Sequence, residues 1–206
     1  MTEERMMPND ALRLLMFAVE DVLGTDGLKA VLNKAQLQRY IGNPPPKNLE
    51  LGSKFSDYAA VEQAVEDVVG GRGAKAVLLR VGRATFTYAM KEQSAVLGLA
   101  GQALKMMPLP MTAKMKLLLE QMVGAANKTV NQPTRLEEDG DSFTWVVDHC
   151  ICLYRPKHPA PCCAVTMGGL MEAMKWLTDK NFPIQEVACM NLGADACRCR
   201  IPKNPE

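Results

Sequence analysis

The chain is 206 residues long, 48% apolar and 23% charged, the make-up of an ordinary globular protein with one large or two small domains. Disordered, collagen-like and coiled-coil classes are excluded by that composition. With 24 basic against 23 acidic residues the net charge is +1, so no overall field favours nucleic acid or an anionic membrane.

The helical spacing of Leu12, Leu15, Met16, Val19 and Val22 predicts an amphipathic helix from an N-cap at Asn9 to Gly24. A second helix, from Thr25, carries Leu28, Val31, Leu32 and Ala35 on one face and ends before the loop at Gly42-Asn43-Pro44-Pro45-Pro46. Val61, Ala64, Val65 and Val68 predict a third helix, broken at Gly70-Gly71, and Val77, Leu78, Val81, Ala84, Thr85 and Tyr88 a fourth. Ala95 to Met107 reads as a fifth, stopped by Pro108 and Pro110. Met115, Leu118, Leu119 and Met122 place a further apolar stripe after Thr112.

After Pro133 the period changes to two. Thr134 to Glu138, the Asp139-Gly140-Asp141 turn and Ser142 to Tyr154 read as a β-hairpin, with Phe143, Trp145, Val147, His149, Ile151 and Leu153 on alternating positions. Arg155 to Pro161 is a proline-rich loop, and Met167, Leu170, Met171, Met174 and Leu177 predict a helix. Ile184 to Met190 and Cys197 to Ile201 flank a Gly193-Ala194-Asp195 turn as a second hairpin. The expected fold class is α+β, with N-terminal helices packed on a twisted antiparallel sheet of two hairpins and a crossing helix, ββαββ in the C-terminal half. One domain over 1–206 is expected, with a helical part at 9–128 and a cysteine-rich part at 134–201.

Met1 to Asp10 lacks the pattern of a secretory signal, and the longest apolar runs, such as Leu14 to Val19, fall far short of the roughly 18 residues of a membrane helix. A cytoplasmic protein with no membrane span and no nucleic-acid partner is expected. All seven cysteines lie from residue 150 onward. In a reducing compartment an odd number of thiols reads as metal binding, catalysis or burial rather than a disulfide framework. Gly71-Arg72-Gly73-Ala74-Lys75-Ala76 has the loose form of a dinucleotide loop but follows a helical segment where that motif needs a strand, so it reads as a helix–helix turn. With no nucleotide or flavin motif, catalysis is not expected.

Cys163 opens a helix after Pro161, Glu186 and Cys189 lie on the next strand, and Cys197 starts the last one. Three thiolates and a carboxylate brought together there would hold a structural Zn²⁺; simple burial of the thiols is the alternative. Residues 186 and 189 face opposite sides of a regular strand, so their convergence requires a bend or bulge near Val187 to Cys189. Cys150, Cys152 and Cys199 read as small buried side chains. The 14 methionines suit an adaptable apolar pocket as well as a core. Phe86, Met90, Met115, Met122 and Trp145 are the candidate lining of such a pocket. His149 reads as a core histidine and His158 as surface.

From Cys163 to Ile201 the chain resembles the 4-vinyl reductase domain family. The residues carrying the resemblance are Cys163, Met167-Gly168-Gly169-Leu170, Glu186-Val187-Ala188-Cys189 and Gly193-Ala194-Asp195-Ala196-Cys197-Arg198-Cys199-Arg200-Ile201. It implies a fold shared with subunits of the TRAPP vesicle-tethering complex, an apolar ligand pocket, and structural zinc on Cys163, Glu186, Cys189 and Cys197. The adjacent Cys162 leaves the identity of the first ligand open. The expected function is a cytosolic sensor or carrier of a hydrophobic small molecule such as an aromatic, an isoprenoid or a tetrapyrrole intermediate. A reductase of a vinyl tetrapyrrole in (bacterio)chlorophyll synthesis and a non-catalytic homodimeric interaction subunit are the alternatives.

Overall fold

The computed structural model describes residues 3–92 and 99–205. A two-residue strand, β1 (Met6–Met7), pairs antiparallel with β2 (Ser53–Lys54) and frames the long helix α1 (Asn9–Lys34). Gly24 interrupts α1 at φ 77°, a backbone that glycine adopts without cost, so the two predicted helices meet at a kink. Asn9 is the first helical residue rather than the cap. Pro8 takes that place, and the Asn9 side chain donates to Asn48 Oδ1 and accepts from the Ser53 hydroxyl. Helix α2 (Phe55–Val69) ends at Gly70, at φ 84°, and α3 (Gly71–Glu92) starts at once. Gly71 to Ala76, read as a helix–helix turn, are thus the first residues of α3, and the turn itself is at Gly70.

The helix predicted from Ala95 begins outside the described residues; within them α4 spans Leu99–Met106, and α5 spans Met111–Ala125. Strands β3 (Thr134–Glu138) and β4 (Ser142–Val147) precede α6 (Ala164–Thr178), β5 (Gln185–Ala188) and β6 (Cys197–Pro202). The four strands form one antiparallel sheet in the order β3-β4-β6-β5. The fold is thus α+β. Phe143, Trp145 and Val147 share a sheet face with Ile201, Cys199 and Cys197 of β6, their register partners, as the two-residue period requires.

Two predicted features differ. Strand β4 stops at Val147 instead of running to Tyr154, because its neighbours run out there: Val147 is the register partner of both Thr134, the first residue of β3, and Cys197, the first of β6. With no ladder partner beyond, the chain turns, and Ile151–Tyr154 form a 3₁₀ turn. Of the N-terminal helical part, moreover, only the later helices pack on the sheet. Helices α1, α2 and α3 build a core of their own around Leu15, Met16, Phe55, Val61, Val65 and Val81, while the sheet packs on α4, α5 and α6. Where α3 crosses α6 the backbones touch. A Cβ at Gly82 would stand 2.1 Å from the Val165 carbonyl oxygen, and one at Gly168 2.1 Å from that of Leu79. Among the described residues no helix is long and apolar enough to cross a membrane.

Candidate functional site

A cavity of about 270 Å³ lies where the two cores meet. Helix α2 contributes Tyr58 and Glu62; α3 contributes Gly82, Thr85, Phe86, Ala89 and Met90, residues three and four apart that form one helix face. Leu118 and Met122 come from α5, Trp145 from β4, and Val165, Thr166, Gly169 and Leu170 from α6. Gly82 and Gly169 lie in the wall where α3 and α6 approach. Of the five residues predicted for a pocket, Phe86, Met90, Met122 and Trp145 line this cavity, whereas Met115 is fully buried in the sheet-side core.

The polar side chains in the wall are Tyr58, Glu62, Thr85, Gln121, Gln132 and Thr166, with the indole of Trp145. Glu62 is buried, and burial pushes its carboxyl up to about 7 against the pull of Arg155. The indole N–H of Trp145 is buried without a hydrogen-bond partner. Sequence reading missed Tyr58 and Glu62, although they stand with Val65 at i, i+4 and i+7, so an acid on the apolar stripe of α2 was the available signal.

At one end the wall is sulfur. Cys150, Cys152 and Cys163 line the cavity and belong to a group of six buried thiols. Sulfur–sulfur separations are 3.3 Å for Cys152 and Cys197, 3.5 Å for Cys150 and Cys163, 3.6 Å for Cys163 and Cys197, and 3.9 Å for Cys162 and Cys189. Three donor sets have all their ligand atoms within 4.8 Å of one another: Cys150, Cys152, Cys163 and Cys197; Cys163, Glu186, Cys189 and Cys197; and Cys152, Cys162 and Cys189. The convergence of Glu186 with Cys189 follows from a register irregularity between Glu186 and Ala188, after which the chain leaves the strand at Cys189. The neighbouring thiols, Cys152 first, hold the Cys189 thiol below its usual range. Glu186 Oε2 accepts the Cys163 backbone N–H at 2.9 Å, at the start of α6, and its Oε1 is buried without a partner. Burial pushes this carboxyl, too, up to about 7.

Cys150 and Cys152 are buried, but as members of this group; an alternating strand to Tyr154 concealed that, and the 3₁₀ turn brings them in. Cys199, by contrast, packs in the sheet-side core outside all three donor sets. The histidines lie away from the cavity wall. His149 Nε2 is 2.9 Å from the Tyr154 hydroxyl, and His158 Nε2 is 2.7 Å from Glu66 Oε1. Behind α2 the fully buried Arg155 side chain pairs with Glu66, donates to Gln63 Oε1 at 3.0 Å and donates to the Cys162 carbonyl at 2.9 Å.

No family model matches the chain, and no curated protein matches it. Similar solved structures include an H-NOX protein from S. oneidensis in the Fe(II)NO ligation state, with TM-score 0.60 and 15% identity over 93% of this chain and 99% of that one. Another is an Fe(II) unliganded H-NOX protein from K. algicida, with TM-score 0.61 and 12% identity over 97% and 98%. The phenol-responsive sensory domain of the transcription activator PoxR, with phenol, gives TM-score 0.50 and 12% identity over 77% and 78%. At these identities the likeness is one of fold.

These findings overturn the resemblance to the 4-vinyl reductase family, and with it the reading as a reductase of (bacterio)chlorophyll synthesis. The expected structural zinc is likewise corrected, since the H-NOX neighbours are iron proteins. The four residues expected as ligands, Cys163, Glu186, Cys189 and Cys197, do have their ligand atoms within 4.8 Å of one another, but Cys163 and Cys197 are shared with a second donor set and Glu186 also accepts the Cys163 backbone N–H.

The heme implied by the H-NOX proteins does not fit the residues present. Among the described residues lining the cavity there is no histidine to ligate iron and no lysine or arginine to meet carboxylates, and the one charged-type side chain is an acid, Glu62. Cysteine and methionine sulfurs are there, yet an anionic macrocycle would be buried beside a carboxyl with no compensating cation.

Proposed function

We propose that this chain is a small-molecule-binding sensor domain whose cavity takes a compact, uncharged, largely apolar molecule carrying one hydrogen-bond acceptor. The observation that carries the reading is the Trp145 indole N–H, a buried donor without a partner on a side chain that lines a largely apolar cavity. Buried donors in folded proteins nearly always have acceptors, so a ligand oxygen is the natural complement. Phe86, Met90 and Met122 supply aromatic and adaptable apolar contacts. The volume of about 270 Å³ suits a single-ring molecule. The phenol named for the PoxR domain is a molecule of this kind and the first probe to use.

The test is isothermal titration calorimetry of the full chain with phenol, toluene and hemin. Phenol binds saturably and more tightly than toluene, and Trp145→Phe, which keeps the ring but removes the donor, weakens phenol about three- to tenfold while leaving toluene unchanged. Hemin gives no stoichiometric complex. Failure of both phenol and toluene to bind, or one-to-one binding of hemin, overturns the reading.

A second reading, a homodimeric interaction subunit, is favoured by the apolar residues exposed across α4 and α5. These are Met106, Met107, Leu109, Met111 and Leu117, with Met106 86% exposed. Sedimentation velocity showing a dimer that Met106→Lys with Leu117→Lys dissociates would support it.

A further inference from the structure

Three of the six thiols, Cys150, Cys152 and Cys163, line the cavity, and the group is not a disulfide framework: all seven cysteines are free. Its sulfurs nevertheless converge. Cys150, Cys152, Cys163 and Cys197 are 2–5% exposed, come from the segment after β4, the start of α6 and the start of β6, and place all four Sγ atoms within 4.8 Å of one another. Separations of 3.3–3.6 Å between neighbouring sulfurs come within about 0.5 Å of the roughly 3.8 Å that separates tetrahedral ligands on metal–sulfur bonds of about 2.3 Å.

We propose that Cys150, Cys152, Cys163 and Cys197 form an all-sulfur site for one monovalent, thiophilic metal ion of the copper(I) class. Softness and charge select the ion. Four sulfurs and no oxygen make a soft donor set, which favours Cu(I) over hard cations. A divalent ion on four thiolates would leave two net negative charges in a buried site, whereas a monovalent ion on two thiolates leaves one, with the other two thiols staying neutral beside it. Among the described residues only partial dipoles face the sulfurs: the Met190 backbone N–H donates to Cys197 Sγ at 3.2 Å, and Cys163 stands at the N-terminus of α6. The buried guanidinium of Arg155 is committed to Glu66, Gln63 and the Cys162 carbonyl, and Glu186 adds a carboxyl to the same neighbourhood. The cavity provides the way in, because Cys150, Cys152 and Cys163 form part of its wall.

The experiment is an anaerobic titration of the full chain with Cu(I) against the chelator bicinchoninate, with copper counted by mass spectrometry and ligands read by X-ray absorption. The expected result is one copper retained per chain, with two or three sulfur neighbours and no oxygen or nitrogen. Cys150→Ser and Cys152→Ser each lower copper affinity at least tenfold, while Cys199→Ser, buried but outside the donor sets, leaves it unchanged. The absorption spectrum of the unaltered protein tests the shell even if a serine variant fails to fold. Loss of all copper to the chelator, an oxygen or nitrogen neighbour in the shell, unchanged affinity in a folded Cys152→Ser, or uptake of zinc but not copper overturns the proposal.

Discussion

Gly168 and Gly169 are adjacent on α6, yet alanine at the two positions should act in opposite directions. Replacing a glycine inside a helix by alanine gains about 1 kcal/mol from backbone propensity. At Gly169 the added methyl meets only the Gly82 carbonyl oxygen at 3.6 Å, an ordinary contact, so most of that gain remains. At Gly168 it would stand 2.1 Å from the Leu79 carbonyl oxygen, 2.9 Å from its carbon and 3.1 Å from the Arg83 nitrogen. All three are backbone atoms of α3 and cannot rotate away. Restoring ordinary contact moves one helix by more than an ångström through a packed interface, and overpacking of that kind costs about 3 kcal/mol. Net of propensity, Gly168→Ala should destabilise by about 2 kcal/mol and Gly169→Ala should stabilise by up to about 1 kcal/mol. Urea unfolding followed by far-ultraviolet circular dichroism reads both as midpoint shifts at constant slope. Equal stability of the two variants would refute the backbone contact between α3 and α6.

Glu62 gives a pH dependence. Its carboxyl rises from 4.5 to about 7 in the fold, so between those values the native state holds a proton that the unfolded chain has released. Stability is greatest below about pH 4.5 and falls as the pH rises to about 7, by on the order of 3 kcal/mol from this group. Glu62→Gln should flatten that slope in urea melts taken across the range; a slope unchanged in the variant sinks the assignment. Arg155→Lys should lower stability by about 3 kcal/mol despite keeping the charge, because one ammonium cannot reach Glu66, Gln63 and the Cys162 carbonyl together. Thermal melts within a degree of the unaltered protein would show that this network carries no such weight.

Local order was legible where the pattern was local. The helical stripes of α2, α3 and α6, the glycine breaks at 24 and 70 and the hairpin turn at Asp139-Gly140-Asp141 all follow from spacing and from residues that accept or refuse particular backbone angles. Strand length was not, since Ser142 to Tyr154 alternates throughout and only the ends of β3 and β6 stop the ladder at Val147. Periodicity also marks an apolar face without saying what covers it. The stripes of α1 and α2 pack on α3 instead of on the sheet, and Met115 sits in the core while Met122, seven residues on, faces the cavity.

For this protein the sequence by itself determined the α+β class, a near-neutral charge and a concentration of thiols after residue 149, because these depend on composition and short-range periodicity. Tertiary structure alone decided that Tyr58 and Glu62 meet Trp145 around one cavity, that Cys150 and Cys152 join the thiols of α6 and β6, and that, among the described residues, no histidine, lysine or arginine lines that cavity. Each of those outcomes rests on contacts between residues tens of positions apart. Such contacts are fixed by the backbone approach of α3 to α6 and the point at which β4 loses its partners.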